Sequence, residues 1–336
     1  QYGRPGPLAV SGLVLLGLVW GMFFSLSRVA GETGVDPVVL VAYIIVAEIP
    51  FFLLICWLRG RYPRLLRWRS MLFYLVGMIL GYGVPAVLEL SSAPIIGAGL
   101  LTIFVSLTPI ITVILTLLLR TEPLQWRKVA GVVLGTVALA PIILREDISV
   151  PVPELALLGF TLAFMVACCY ALYHNVVAKY WPEGEDTWQL ATGETIAGII
   201  IFVPVTLIFY GLQPINLTEG SILMLFIGYM TLSMTSIYLY FYLLKEGGPI
   251  FVSTAGFISL ASGVIFGMVF FGETHPQWIM LCMLGMVGAI WLTSSDNDQE
   301  CPFKLAGTAR ATCTNRGRAE PCAVIINAVV SDAASA

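Results

Sequence analysis

Long apolar runs are the feature that most constrains how this chain folds. Ten segments of roughly 20 or more residues carry almost no charge, and only short connections separate them. A hydrocarbon core about 30 Å thick requires about 20 apolar residues in each helix. The runs lack the alternating pattern of a membrane barrel, so we predict an all-α protein with ten transmembrane helices. The predicted spans are 8–29, 37–58, 70–89, 93–119, 127–145, 154–180, 187–211, 219–244, 249–272 and 275–294.

The composition excludes the soluble classes of protein. Of the 336 residues, 58% are hydrophobic and only 11% are charged, whereas a soluble domain has about 25% charged residues. Too few charges remain to cover a soluble fold of this size, which excludes a soluble enzyme. This composition instead predicts that a lipid bilayer surrounds the chain. The net charge of −3 provides no excess of basic residues for binding phosphate backbones, so we expect no nucleic-acid partner.

The distribution of lysine and arginine predicts the orientation in the membrane. With a cytoplasmic N-terminus, the outer loops carry only Arg28 and Arg145, and every other basic residue lies on the cytoplasmic side. This positive-inside pattern requires an even number of spans. We therefore expect both the N-terminus and the C-terminus in the cytoplasm.

The two halves of the chain repeat each other at an offset of about 151 residues. The run at 106–109 leads to Glu122 and then to Gln125-Trp126, and the run at 259–262 leads to Glu273 and then to Gln277-Trp278. Each half holds five predicted spans, and five is odd, so the second half enters the membrane from the opposite side. We therefore predict two inverted five-helix repeats, over residues 1–150 and 151–294.

Residues 295–336 differ in character from both repeats. They are polar, and their cysteines at 301, 313 and 322 match no zinc motif with paired C-x-x-C. We predict a poorly ordered cytoplasmic tail with reduced, free thiols.

Three short motifs carry a resemblance to a known family. They are Trp20-Gly21 with Arg28, the run from Leu107-Thr108-Pro109 to Thr121-Glu122, and Phe271-Gly272-Glu273 followed by Gly285 and Gly288. Together they resemble the EamA family of the drug/metabolite transporter superfamily, over about residues 8–294. The resemblance implies a ten-helix carrier that moves small metabolites, often outwards, by alternating access. On this basis we expect a secondary transporter in the bacterial inner membrane, without enzyme activity or a cofactor.

Glu48 is the sharpest candidate for a functional residue. It lies 12 residues after Asp36 and 11 before Arg59, roughly 17 Å from either end of its helix. An ionised carboxylate at this depth costs about 2.5–3.5 kcal/mol, so Glu48 should face a cavity or a partner. We expect it to be the one titratable acid at the centre of a cavity and to bind a proton during transport. The alternative is a neutral carboxyl that hydrogen-bonds between helices.

Two further titratable residues lie within predicted spans. His174 follows Tyr170 by one turn on the same helix face, and Glu194 lies early in the seventh span. Both are candidates for proton coupling, and both can instead be hydrogen-bonding residues between packed helices. The sequence has no Walker A, H-E-x-x-H or G-x-S-x-G motif, so we expect no catalytic residues and no metal site.

Aromatic residues complete the predicted binding site. The eighth span carries a polar stripe of Gly228, Thr231, Thr235, Tyr238 and Tyr242, which predicts a wet cavity wall or, alternatively, hydroxyl contacts between helices. Trp20 in mid-span either forms the floor of a pocket or packs. We predict that a small-molecule substrate contacts Trp20, Glu48, Tyr82, Tyr170, His174, Tyr238 and Tyr242.

The rest of the sequence bears on substrate and partners. Lysine and arginine stay at the edges of the spans, which favours neutral, zwitterionic, cationic or aromatic solutes, such as amino-acid-like or drug-like compounds. Pairs with G-x-x-x-G spacing, such as Gly17 and Gly21, allow close helix contact within the fold or in a homodimer. The alternative function is a non-transporting accessory subunit of a larger membrane complex.

Overall fold

Helices make up every regular element in the described part of the chain. The computed structural model describes residues 5–32, 35–122, 125–143, 152–211, 220–271 and 278–294. The predicted tail at 295–336 and Glu273 lie outside these residues, as does the side chain of Arg28. The α-helices are α1 (Pro7–Glu32), α2 (Pro37–Arg59), α3 (Trp68–Met78), α4 (Val84–Ile96), α5 (Ala98–Val105), α6 (Thr108–Leu119), α7 (Trp126–Ile143), α8 (Ala156–Tyr180), α9 (Thr187–Phe209), α10 (Gly220–Ser253), α11 (Ala255–Phe271) and α12 (Trp278–Ser294).

Six helical stretches are long and apolar enough to cross a membrane. They are Pro7–Leu26, Pro37–Arg59, Trp68–Ile96, Ala156–Tyr180, Thr187–Phe209 and Leu223–Ser253, and shorter apolar helices lie at Thr108–Leu119, Ala255–Phe270 and Leu284–Thr293. Large apolar side chains are exposed on the outer surface, including Leu118, Phe209 and Met224. Apolar surface on this scale is stable only in lipid. The chain is therefore an integral membrane protein.

The third span is longer than the sequence predicts. Helices α3 and α4 run into each other through a π-helical segment at Ile79–Gly83, and the stretch ends at Ile96 rather than at 89. The serines near its end do not stop it, because Ser91 and Ser92 bond back to the carbonyls of Val87 and Glu89 at 2.7 and 3.3 Å. The predicted run at 93–119 instead begins after Gly97 and is broken between α5 and α6.

Matched local features in the two halves follow the predicted offset. Gly97 ends α4 with φ 85° and ψ 153°, and Gly248 bends α10 with φ 84° and ψ 177°. Asp36 caps the N-terminus of α2, and Asp186 caps the N-terminus of α9. Each pair is separated by about 150 residues, so equivalent elements of the two halves begin and bend at equivalent positions.

The halves pack against each other reciprocally. The first helix of each half lies against later helices of the other, since α1 contacts α10 and α11 while α8 contacts α4, α5 and α6. Helix α2 packs on α9, and α7 packs on α12. The contact between α1 and α11 is close because Gly17 and Gly21 leave no room for a Cβ beside Ile258 and Ser262. This G-x-x-x-G pair is therefore used within the fold.

Candidate functional site

A cavity lies where the two halves meet. It contains about 820 Å³ of space that no protein atom occupies, including space that is open to the surroundings. Its walls come from α1, α2, the π-helical segment and α4 of the first half, and from α8, α9 and α10 of the second. Both halves therefore contribute side chains to one cavity.

Five of the residues that the sequence singles out line this cavity. They are Trp20, Tyr82, Tyr170, His174 and Glu194. Glu48 is 1% exposed and lies directly behind the wall, near Ser233 and Tyr82. Substrate contact and proton binding by these residues stay predictions, but the fold brings six of them to one place.

The aromatic residues of the cavity centre on Trp20. Its ring stacks on Tyr170 and on His174 of α8, with centroids 6.2 and 6.4 Å apart. Its indole N–H donates to Ser236 Oγ of α10 at 2.8 Å. One side chain of α1 thus joins two helices of the other half, which explains a tryptophan so far from the membrane surface.

His174 is held by Tyr240. The His174 Nδ1 atom lies 3.1 Å from the Tyr240 hydroxyl, and the two rings stack with centroids 5.4 Å apart. The imidazole is 1% exposed, and within the described residues its Nε2 atom has no hydrogen-bond partner. One polar atom of this ring is therefore left for a water molecule or a bound solute.

Carboxyl groups are more numerous here than the sequence suggests. The expectation of one acid at the centre of the cavity is wrong, because Glu89 and Glu194 line the cavity and Glu48 lies behind it. Tyr170 donates to Glu89 Oε1 at 2.9 Å, and Tyr173 donates to Glu194 Oε2 at 2.8 Å. Glu89 is the residue that sequence reasoning missed, since the predicted third span ended on it. The run from Leu90 to Ile96, which has no charged residue in spite of its two serines, was the signal that could have placed it inside.

Tyr238 and Tyr242 do not line the cavity. Tyr238 stacks instead on Trp188 of α9 with ring centroids 4.3 Å apart, and Tyr242 stacks on Tyr238. The predicted stripe lies on another face of α10, where Thr231 and Thr235 bond back to the carbonyls of their own helix at 2.8 Å.

The cavity face of α10 carries a different set of residues. Ser233, Ser236, Ile237 and Tyr240 line the cavity, whereas the predicted stripe does not. The spacing of the hydroxyl groups fits a cavity wall and a lipid-facing surface equally well. On a lipid-facing surface, each threonine hydroxyl can donate a hydrogen bond to a carbonyl in the preceding turn of its own helix, so it needs no partner on another helix.

A second, smaller cavity adjoins the first. It encloses about 410 Å³ and shares Trp20, Phe23, Glu89, Tyr170 and His174 with the first cavity. Its remaining polar lining is Thr108, Ser253 and Ser259, which flank the helix breaks between α5 and α6 and between α10 and α11. Trp20 and its two stacking partners therefore form a wall between two compartments.

Comparison with known proteins identifies the chain. The model of the EamA-like transporter family matches residues 7–144 and 157–295. The chain belongs to the EamA-like transporter family. It contains two EamA repeats and is a membrane transporter of the drug/metabolite superfamily, whose EamA members are transporters and not enzymes.

Other comparisons bear on the fold alone. A solved protein structure with 15% sequence identity aligns with this EamA chain at a TM-score of 0.62, covering 85% of this chain and 96% of that one. A search of the curated proteins finds no significant match.

An ionic cluster joins the halves of the EamA transporter near the start of α9. Arg59 and Arg61 lie 3.1 and 3.6 Å from the Asp186 carboxylate. Partial burial opposes ionisation of Asp186, but the N–H groups of Gln189 and Trp188 and the Arg59 guanidinium outweigh it and lower its pKa. The end of α2 is thereby tied to the beginning of α9.

Buried hydrogen bonds extend the same contact between the halves. Glu185 accepts hydrogen bonds from Ser70 at 2.7 Å and from Tyr74, and Gln189 donates to the Tyr62 carbonyl at 2.7 Å. These bonds connect α3 and the segment before it to the segment between α8 and α9 and to the first turn of α9. Hydrogen bonds between side chains of both halves thus hold the two halves together near the start of α9.

A buried ion pair stabilises the bend of α10. Lys128 of α7 pairs with Glu122 and donates to the Gly247 carbonyl at 3.2 Å, next to the bent residue Gly248. Burial raises the pKa of Glu122, and Lys128 opposes that rise. The carbonyl that directly precedes the bent residue therefore accepts a hydrogen bond from a lysine of another helix.

Proposed function

We propose that this EamA protein is a secondary transporter that moves small amino-acid-like or aromatic solutes outwards by alternating access. Its ten membrane-crossing segments would form two inverted five-helix repeats in the bacterial inner membrane, with both termini in the cytoplasm. The supporting observation is the cavity of about 820 Å³ that is walled by helices of both halves.

The bends favour a mechanism in which the halves rock. Gly97 and Gly248 interrupt equivalent helices, and the second cavity lies beside the breaks that follow them. Discontinuous helices at the interface of two repeats are typical of transporters that alternate access around a fixed site. The two bends are the positions at which a small change in backbone angle would move one half against the other.

Glu48, Glu194 and His174 are the proposed sites of proton coupling. Each is buried and has one polar atom without a hydrogen-bond partner among the described residues, namely Oε1 of Glu48, Oε1 of Glu194 and Nε2 of His174. A buried group in this state gains a partner when a proton or a solute arrives. Partner proteins, or a second copy of this chain, remain a proposal that co-purification would test.

Cysteine accessibility tests the mechanism without knowledge of the substrate. The seven native cysteines are replaced, and Ala86, which lines the cavity, is changed to cysteine. We expect a membrane-impermeant maleimide to label Ala86→Cys in right-side-out and in inside-out vesicles, because alternating access opens the cavity to each side. Thr231→Cys is the control, since Thr231 is exposed on the outer face of α10 and should face lipid.

The same experiment separates the alternative function. A non-transporting accessory subunit has no need to open its cavity on both sides. Labelling of Ala86→Cys from one side alone, even after prolonged incubation, would contradict alternating access and favour the accessory role.

A further inference from the structure

The charge of the cavity wall restricts the solutes it can hold. Glu89 and Glu194 line the cavity, with Glu48 directly behind it, and none of the lining residues that the structure describes is lysine or arginine. The remaining titratable side chains of the wall are His174 and tyrosines, and the His174 Nδ1 atom is taken by Tyr240. A solute in this cavity therefore lies close to several glutamate carboxyl groups and, among the described lining residues, to no lysine or arginine side chain.

The Glu194 carboxyl group is only partly hydrogen-bonded within the described part of the chain. The residue is 4% exposed, its Oε2 atom accepts from Tyr173, and its Oε1 atom has no partner in the described part of the chain. The carboxyl lies against Gly77, where any side chain would displace it. One phenol hydrogen bond does not offset the desolvation of a carboxylate, so its ionised form needs a countercharge from outside the protein.

Aromatic faces surround this carboxyl group. Tyr173, which bonds to Glu194, stacks on Tyr240 with ring centroids 4.8 Å apart, and Trp20 stacks on Tyr170 farther along the same wall. Aromatic faces attract organic cations through their quadrupole, most strongly where water is excluded. They also bind flat apolar bodies by offset stacking.

We propose that the cavity selects organic cations, in which an ammonium group is joined to an aromatic or apolar body. Glu194 supplies the countercharge and the missing hydrogen bond is made by the ammonium group, while Glu89 supplies a second negative group. Trp20, Tyr170, Tyr173 and Tyr240 hold the body of the solute. This inference rests on the proposed transport function, which it narrows from amino-acid-like and aromatic solutes to cationic ones.

Four solutes with the same phenyl ring and different charge test this selection. They are phenethylamine as cation, 2-phenylethanol as neutral compound, phenylalanine as zwitterion and 3-phenylpropionate as anion. Binding to the purified full chain in lipid nanodiscs is measured by titration calorimetry at neutral pH. We expect phenethylamine to bind at least tenfold more tightly than the alcohol and the zwitterion, and the anion not to bind.

Two variants locate the countercharge. We expect Glu194→Gln to abolish the preference for phenethylamine over 2-phenylethanol, because it keeps the shape of the side chain and removes its charge. Glu183→Gln is the matched control, since Glu183 is exposed outside the cavity. Melting temperatures near that of the unchanged protein show that both variants are folded.

The outcomes separate this proposal from the transport mechanism. Equal or tighter binding of the alcohol, the zwitterion or the anion overturns the cationic selection, as does a full preference retained in folded Glu194→Gln. The labelling of Ala86→Cys uses no solute, so one-sided labelling with intact cation binding overturns only the transport mechanism.

Discussion

Trp20 connects three helices through one side chain, and its replacement has two separable consequences. Trp20→Phe keeps a ring for stacking but removes the N–H bond to Ser236, which costs about 1 kcal/mol. Trp20→Ala also removes the packing, and the cost of about 3–5 kcal/mol for a fully buried aromatic residue is the upper bound for the partly buried Trp20. We expect melting temperatures in detergent to fall in the order unchanged protein, Trp20→Phe, Trp20→Ala.

Trp126→Phe is the control for this series. Trp126 is 75% exposed at the start of α7 and is not among the residues that line either cavity. Its replacement should leave the melting temperature unchanged within about 1 °C. A Trp20→Ala variant as stable as Trp126→Phe would show that the indole does not hold the two halves together.

Glu48 has a separate prediction, because it lies behind the cavity wall beside Ser233 and Tyr82. Glu48→Gln keeps the size of the side chain and removes the carboxyl group, which is the group that can bind and release a proton. We expect phenethylamine flux in proteoliposomes to lose its dependence on a pH gradient while binding of phenethylamine remains. Flux that follows the gradient as before would remove Glu48 from proton coupling.

Whether a residue can be assigned to the cavity from the sequence depends on how accurately the helix ends and the direction of each helix face can be predicted. Trp20, Tyr170 and His174 were found because a mid-span tryptophan and a histidine one turn from a tyrosine are conspicuous in an apolar chain. Glu89 was missed because two serines after it resemble a loop, although both bond back to their own helix. Tyr238 was placed on the cavity face because spacing gives a stripe but not the direction in which it points.

At the level of elements, the backbone angles of the two bends can be tested by substitution of their glycines. Gly248 has a φ of 84° and a ψ of 177°, a conformation that is almost restricted to glycine and costs a residue with a side chain roughly 1–3 kcal/mol. Gly248→Ala should therefore lower the melting temperature and shift the conformational equilibrium seen by labelling of Ala86→Cys. Gly97→Ala should act in the same direction, since its φ is 85°.

Gly228→Ala is the matched control in the same helix. An added Cβ there would meet Leu26 at 3.4 Å, an ordinary contact, and the backbone is helical. Alanine is favoured over glycine by about 0.5–1 kcal/mol in a helix, so this variant should be neutral or more stable. Destabilisation by Gly228→Ala equal to that by Gly248→Ala would refute the explanation from backbone angle.

The cap of α9 gives a prediction that depends on pH. Asp186→Ala removes a capping box and the partner of Arg59, which should cost about 1 kcal/mol at pH 7. The pKa of Asp186 is lowered in the folded protein, so this stabilisation is present above the pKa of an unfolded aspartate. It is lost as the pH falls through the lowered value.

The difference in melting temperature between the unchanged protein and Asp186→Ala should therefore shrink under acidic conditions. Asp186→Asn retains most of the cap and isolates the charge, so its deficit should be smaller at pH 7. A deficit of Asp186→Ala that stays constant from pH 7 down to pH 3 would mean that the ionised carboxylate contributes nothing.

Helix existence was predictable from the apolar runs, but only some of the helix interruptions were. The length of an apolar run shows whether a segment can cross the bilayer. It does not show where the helix bends or breaks within that segment. The π-helical segment at Ile79–Gly83 packs on the other half, since Gly81 and Gly83 leave no room for a Cβ beside Tyr173 and Phe202. The bend at Gly248 is different, because it lies between the predicted spans 219–244 and 249–272 and directly precedes a proline.

At the level of the whole molecule, each half is completed by the other. Helix α1 packs on α10 and α11, and α8 packs on α4, α5 and α6. Two separate chains covering residues 1–150 and 151–336 should therefore assemble when produced together, and a tag on one should purify the other. Either half produced alone should be degraded or aggregate, because its interface helices lack partners. A stable half recovered alone would contradict this mutual dependence.

Gly97 and Gly248 adopt nearly the same left-handed backbone angles 151 residues apart. A shared departure of this kind is easier to inherit once than to acquire twice. We infer that an ancestral polypeptide of half this length already turned at that glycine before the gene was doubled. Such an ancestor would have needed a second copy of itself to enclose any solute.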